Sequence, residues 1–277
     1  MRPDDETTRA FLYCLAVSAR RSQVQVIFFL AMSNHYHAGI FDPEGRLPVF
    51  LEHFHKLFAR HQNTLRGRWE NFWSSEQTSV VELLEAEDVL NKMVYTLTNP
   101  VKAALVAGAH EWPGATSLNA HFHGESIRTV RPTVFFRPDG PMPDEEVLTV
   151  TLPPFMQGEP VEQFRSKLRE RIAVVEDREA ALRLQAGRKV RGVRAVLRQR
   201  WFDCPKTVAP RRRPNPRFAC HDLNRRLEAM SQYRSFVAAY KSARGRVLAG
   251  LEAIFPAGTY WLQRFAGQRC EQAPATT

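Results

Sequence analysis

The 277-residue chain is 44% hydrophobic and 25% charged, a composition that excludes an intrinsically disordered protein and a length that fits one large domain or two modest ones. Its net charge of +10 is uneven: residues 1–119 hold 11 Lys and Arg against 13 Asp and Glu, while residues 120–277 hold 28 against 16, so the second half is the polyanion-binding candidate. The longest apolar stretch, residues 24–32, is broken by Gln25 and falls well short of the roughly 20 residues that span a bilayer, and the acidic start Asp4-Asp5-Glu6 does not suit a signal peptide; a cytoplasmic protein with no membrane partner is expected.

In chain order, Asp4 and Asp5 can cap a first helix in which Phe11, Leu12, Leu15 and Ala19 recur at helical spacing to about Arg20. Residues 24–32 read as a mostly buried strand, Ser33-Asn34 as a turn, and residues 35–41 as the returning strand of a hairpin. Leu47, Phe50, Leu51, Phe54, Leu57 and Phe58 predict a long amphipathic helix that Gly67 ends. An irregular aromatic stretch at 69–79, with a strand at Phe72-Trp73, leads to a helix over 85–98. There Asn99 before Pro100 is placed as both stop and cap for 101–106. This order predicts an α+β fold.

After Gly108 the texture turns to Pro, Gly and Arg, and residues 120–145 read as a linker between a domain over 1–119 and a mainly helical, basic region over 146–277. There we expect a strand at 147–152 and helices over 161–185, 190–200 and 222–251, with a constrained proline-arginine run at 210–216. Arg191, Arg194 and Arg198 form one basic face opposite Val193, Val196 and Leu197. With Arg211, Arg212 and Arg213 they are the candidate phosphate contacts, while Trp201, Tyr233 and Tyr240 either stack on bases or pack. Cys14, Cys204, Cys220 and Cys270 are far apart without CxxC spacing and read as reduced thiols.

Two groups of residues carry chemistry. On a strand, side chains alternate, so His35 and His37 share a face from which two imidazoles can reach one divalent cation, with Tyr36 opposite. The same pattern, His121-Phe122-His123, recurs in a loop-like stretch with no strand to aim it. Tyr95 and Asn99, four residues apart on the predicted helix, share a face that Asn91 extends. Either this is a half-buried tyrosine above a helix stop, or it is a phenol nucleophile and an amide oxygen beside a metal.

Met32-Ser33-Asn34-His35-Tyr36-His37 resembles the Met-Pro-Asn-His-x-His stretch of the HUH single-tyrosine transposases. Tyr95-Thr96-Leu97-Thr98-Asn99-Pro100-Val101-Lys102-Ala103 resembles the Tyr-x-x-x-Asn-Pro-Val-Arg-Ala signature of their REP-associated branch. Gly67-Arg68-Trp69 and Glu111-Trp112-Pro113-Gly114 fall where that family has tryptophan-containing segments, and the resemblance covers about residues 5–119. It implies Mg or Mn held by His35, His37 and Asn99, with Tyr95 as the nucleophile that forms a 5′-phosphotyrosine. It also implies single-stranded, hairpin-forming DNA as substrate, and a ferredoxin-like antiparallel sheet with helices on one face. The protein would work as a monomer or a homodimer. The sequence departs from the pattern in Ser33, in Lys102, and in the three residues Met1-Arg2-Pro3 that stand where the family has a first strand. An absent strand would leave backbone groups and apolar surface open. That departure motivates an alternative, a domesticated or decayed DNA-binding protein that does not cut; a small-phosphoester hydrolase using the same histidines leaves the basic half without a purpose.

Overall fold

The computed structural model describes residues 1–158, 160–203 and 216–272, and the fold is mixed α+β. Helix α1 (Asp5–Ser22) starts where Asp4 accepts a hydrogen bond from the Thr7 N–H at 2.9 Å, and its acidic first turn and basic last turn complement the helix dipole. Strand β1 (Gln25–Ala31) and strand β2 (Tyr36–Phe41) form the expected antiparallel hairpin. Helix α2 (Leu47–Arg66) ends on Gly67 at φ 59°, the left-handed conformation that glycine adopts without penalty. Strand β3 (Glu82–Leu83), helix α3 (Ala86–Leu97) and the short helix α4 (Asn99–Lys102) follow; Phe72-Trp73 is irregular rather than a strand.

Helices lie on both faces of the hairpin, not on one as the sequence reading had it. The reason is the composition of β1: an almost unbroken apolar run has two faces to cover. Val26, Phe29 and Ala31 join an aromatic core with Phe11 of α1 and Phe50, Phe54 and Phe58 of α2. Ile27, Phe28 and Leu30 face a second core with Val89, Leu90, Met93, Val94 and Leu97 of α3. Ile27 and Phe28 point the same way because the register slips between Val26 and Phe28, a β-bulge that interrupts alternation. Burying each such side chain contributes about 1.5–3 kcal/mol, so this one strand supplies much of the cohesion.

The edge of β1 away from β2 is also covered. Ala31 N–H donates to Ala115 O at 2.8 Å, Ser117 N–H to Phe29 O at 3.0 Å and Thr151 N–H to Val26 O at 3.0 Å, so these backbone groups on the far edge of β1 are paired. Met1 itself lies at the hairpin turn, its ammonium 2.5 Å from Ser33 O.

The stretch expected to be loop-like instead contains helix α5 (Leu118–His123) and strand β4 (Ile127–Val130), which pairs antiparallel with β5 (Glu145–Leu148). This second hairpin packs on α1: Leu148 and Phe136 are in the aromatic core, and Tyr13 Oη donates to Pro143 O at 2.6 Å. Next come α6 (Val161–Gln185), as expected, and α7 (Val193–Arg198). Strand β6 (Phe218–Ala219) pairs parallel with β3, and α8 (Leu223–Leu248), capped by Asp222, is the long helix expected there. Strand β7 (Ile254–Phe255), helix α9 (Tyr260–Ala266) and strand β8 (Arg269–Cys270), parallel to β7, end the described chain. Each sheet among the described residues has two strands, extended at β1 by single bridges to Thr116 and Val150. No helix among them is long and apolar enough to cross a membrane.

Candidate active site

The hairpin turn is closed by Met32 N–H donating to His35 O at 2.8 Å. Trp112, buried against the second core, fixes the end of β1 by donating Nε1–H to Ala31 O at 3.0 Å. From this anchored turn β2 alternates. Tyr36 enters the aromatic core, its hydroxyl 2.6 Å from His55 Nε2. His35 and His37 take the other face, with ring centroids 5.0 Å apart.

Helix α3 brings the second half of the site to the same face. Tyr95 is 40% exposed, and its ring meets His37 edge-on with centroids 5.8 Å apart. Its hydroxyl makes no hydrogen bond among the described residues, so the oxygen is open to an incoming group. Pro100 has no N–H, which ends α3, yet Lys102 N–H and Val101 N–H both bond Thr98 O and keep the backbone coiled across the break. Asn99 therefore stays one turn beyond Tyr95, and its Nδ2 lies 3.0 Å from His37 Nε2.

The chemistry of these donors suits a divalent cation. His35 Nδ1 lies 2.7 Å from Asn34 Oδ1, a contact compatible with the proton on Nδ1 and an Nε2 lone pair free for a cation. His37 Nε2 accepts from the Asn99 amide and so also carries a lone pair. Burial, then His35 and Lys92, push His37 down to about 4, and burial lowers His35 too, which keeps both rings neutral near pH 7. The 3.0 Å between His37 Nε2 and the Asn99 amide equals the separation of about 3 Å between adjacent donors around an octahedral cation of the Mg or Mn class. A half-turn of the carboxamide presents Oδ1 in place of Nδ2.

Two cations at this site escaped the sequence reading. Lys92 Nζ is 4.8 Å and Lys102 Nζ 4.4 Å from the centroid of the Tyr95 ring, and burial, then Arg178, lower the Lys102 ammonium from its ordinary value. Positions 92, 95, 99 and 102 fall on one helical stripe, a spacing that brings them together but by itself gives a surface lysine no role. Asn91, expected to extend the face, is turned away: it donates to Glu87 Oε1 at 3.2 Å and accepts from Arg171 Nη1 at 3.0 Å. His121 is buried in α5, and His123 is exposed at its end.

Arg191, Arg194 and Arg198 line one open depression of about 570 Å³ together with Gly192, Gln199 and Asp203. All three are exposed, and their side chains have no hydrogen bond or ion pair among the described residues. Val196 is buried beneath them. Arg191 N–H and Gly192 N–H donate to Ala104 O and Leu105 O at 2.8 and 2.9 Å, which seats this basic surface on the loop that follows Lys102. Arg211, Arg212 and Arg213 lie outside the described residues, as does Cys204. Among the aromatics, Tyr233 sits under Arg217 and Tyr240 packs on Phe255, whereas Trp201 is 41% exposed with Arg68 over its ring.

Compared with protein-family models, with curated proteins and with solved structures, the chain matches none.

Proposed function

We propose that this protein is a REP-associated-type tyrosine transposase that cleaves and rejoins single-stranded, hairpin-forming DNA through a 5′-phosphotyrosine intermediate. The observation that carries the reading is the convergence of His35, His37, Tyr95 and Asn99, from a hairpin and a helix remote in sequence, on one open face. His35, His37 and Asn99 would hold Mg or Mn, which supplies Lewis-acid neutralisation of the phosphate oxygens. In the first step Tyr95 Oη attacks the scissile phosphorus, the bond from phosphorus to the 3′ oxygen breaks, and that oxygen leaves as a 3′ hydroxyl. The proton lost by the phenol balances the one gained. In the second step the 3′ hydroxyl of another end attacks the phosphotyrosine and restores the phenol, so no outside energy source is needed. Lys92 and Lys102 hold positive charge beside the nucleophile, and Arg191, Arg194 and Arg198 continue it along the surface as a path for the DNA backbone.

We read the β1–β2 hairpin, with α1 and α3 on its opposite faces and residues 115–117 and 150–151 beside β1, as an α+β core that departs from a ferredoxin-like sheet with helices on one face. This pairing covers part of the β1 edge whose expected exposure motivated the alternative of a decayed, non-cutting protein. The test is a labelled hairpin oligonucleotide incubated with purified protein and Mn. A covalent protein–DNA adduct should form and should disappear in Tyr95→Phe. An adduct that persists in that variant refutes the nucleophile, and salt-sensitive binding with no adduct under any metal supports the non-cutting alternative.

A further inference from the structure

At the opposite end of α3 from Tyr95, Glu85, Asp88 and Cys220 place a carboxylate oxygen, a second carboxylate oxygen and a sulfur within 4.8 Å of one another. Ten residues of helix, about 15 Å, separate this cluster from the tyrosine. Glu85 is the N-cap of α3 and Asp88 lies in its first turn, positions where acids ordinarily accept hydrogen bonds from free helix N–H groups. Neither serves that purpose here. The N-cap side chain makes no capping bond. Asp88 is buried to 5% exposure and turns toward the strand β6 end of the chain. Its Oδ1 accepts from His221 N–H at 3.2 Å and lies 2.6 Å from His221 Nδ1. Its Oδ2 is buried and makes no hydrogen bond of ordinary geometry among the described residues, although Asp88 lies near enough to the Cys220 thiol to help raise its pKa, after burial. A carboxylate oxygen left in that state is costly unless a cation or a proton satisfies it. Arg225 approaches Glu85 Oε1 only at 3.8 Å, so the guanidinium does not fill the role for Asp88. Cys220, 9% exposed, supplies a soft donor from the other side.

We infer that Glu85, Asp88 and Cys220 form a second metal site, for a borderline-soft divalent cation of the zinc class, that clasps the end of strand β6 to the start of α3. The donor set favours zinc over magnesium, because thiolate is a poor ligand for hard cations. The His221 imidazole on Asp88 is the outer hydrogen-bond partner that orients a ligating carboxylate. Zinc–sulfur and zinc–oxygen bonds of about 2.3 and 2.0 Å place tetrahedral donors about 3.3–3.6 Å apart, so closing the cluster needs shifts of about an ångström. The thiol must lose its proton on binding, so affinity rises with pH.

The experiment uses the full chain in a His35→Ala/His37→Ala background, which removes the hairpin histidines as competing ligands. Co(II) titrated into this protein should give one equivalent of tight binding with a thiolate-to-cobalt absorption band, and Zn(II) should displace it and raise the Tm. Cys220→Ser should lose the band, and Asp88→Asn should weaken binding at least about 100-fold. Circular dichroism of each apo variant separates ligand loss from unfolding. Absence of the band in the folded background protein, or a band and Tm shift that survive Cys220→Ser, overturns the site. None of these readouts involves DNA, so the result stands apart from that of the adduct assay.

Discussion

The chain carries the same histidine spacing twice, at His35-x-His37 and at His121-x-His123, and the fold treats them differently. On β2 the period of two puts both rings on one face with centroids 5.0 Å apart. On α5 two residues advance the chain by about 200°, so one ring is buried against Phe164 and the other is left in solvent. A ligand motif is therefore a property of spacing and backbone together. The strand pair opposes a second helix with a phenol and an amide, whereas the helical pair opposes only packing.

Breaking the strand pair should have the largest effect. His37→Ala removes a proposed direct ligand and should lower Mn affinity by more than the roughly 10–100-fold cost of losing an outer partner, with adduct formation falling in step. Asn99→Ala should cost about 10–100-fold, read by Mn titration of the rate. The corresponding change at His121 should leave the chemistry in place and show instead in acid stability. Burial pushes His61 and His121 down to about 4 from an ordinary 6.5. Because the unfolded chain binds these protons more readily, the folded state is fully favoured above about pH 6.5 and loses up to about 3 kcal/mol per histidine as pH falls toward 4. Thermal unfolding from pH 7.5 to 4.5 should show a shallower loss in a His61→Gln/His121→Gln double variant; an unchanged slope would assign the acid limb to carboxylates.

A smaller effect sharpens the same contrast at the backbone. Gly39 pairs with Phe28 across the hairpin, and a Cβ there would come well inside van der Waals contact with Phe28 Cε1, on a ring that is itself buried. Gly39→Ala should cost about 1–3 kcal/mol by overpacking, seen as a lower Tm. The smallest change is expected from Arg191→Gln, Arg194→Gln and Arg198→Gln. Each should reduce the salt dependence of single-stranded DNA binding by about 0.7 in the logarithmic slope, without abolishing adducts at low salt.

The hairpin was legible from its apolar run and turn residues, α2 and α3 from a sustained helical period, and α6 from a long charged stretch free of proline and glycine rather than from any apolar period. The β4–β5 hairpin was not: its strands are four residues each, and they pair across fourteen intervening residues of which four are proline. What holds that excursion is tertiary. Arg131 donates to Met142 O at 2.5 Å and pairs with Asp144, and no local pattern announces either. In the site, His35, His37, Tyr95 and Asn99 could be named from alternation and helical spacing with the resemblance. Lys92 and Lys102 could not, because a lysine on a helix surface is ordinarily solvated and only the position of the Tyr95 ring gives these two a role. The coverage of both β1 faces was likewise hidden until the helices took their places.

The bonding of Thr151 to Val26 has a practical corollary. An expression fragment trimmed to the motif-bearing first 119 residues would keep every proposed ligand yet unzip the far half of β1 and strip Phe136 and Leu148 from the aromatic interior. Inactivity of such a fragment would report on its missing lining and say nothing against the histidines, the phenol or the amide.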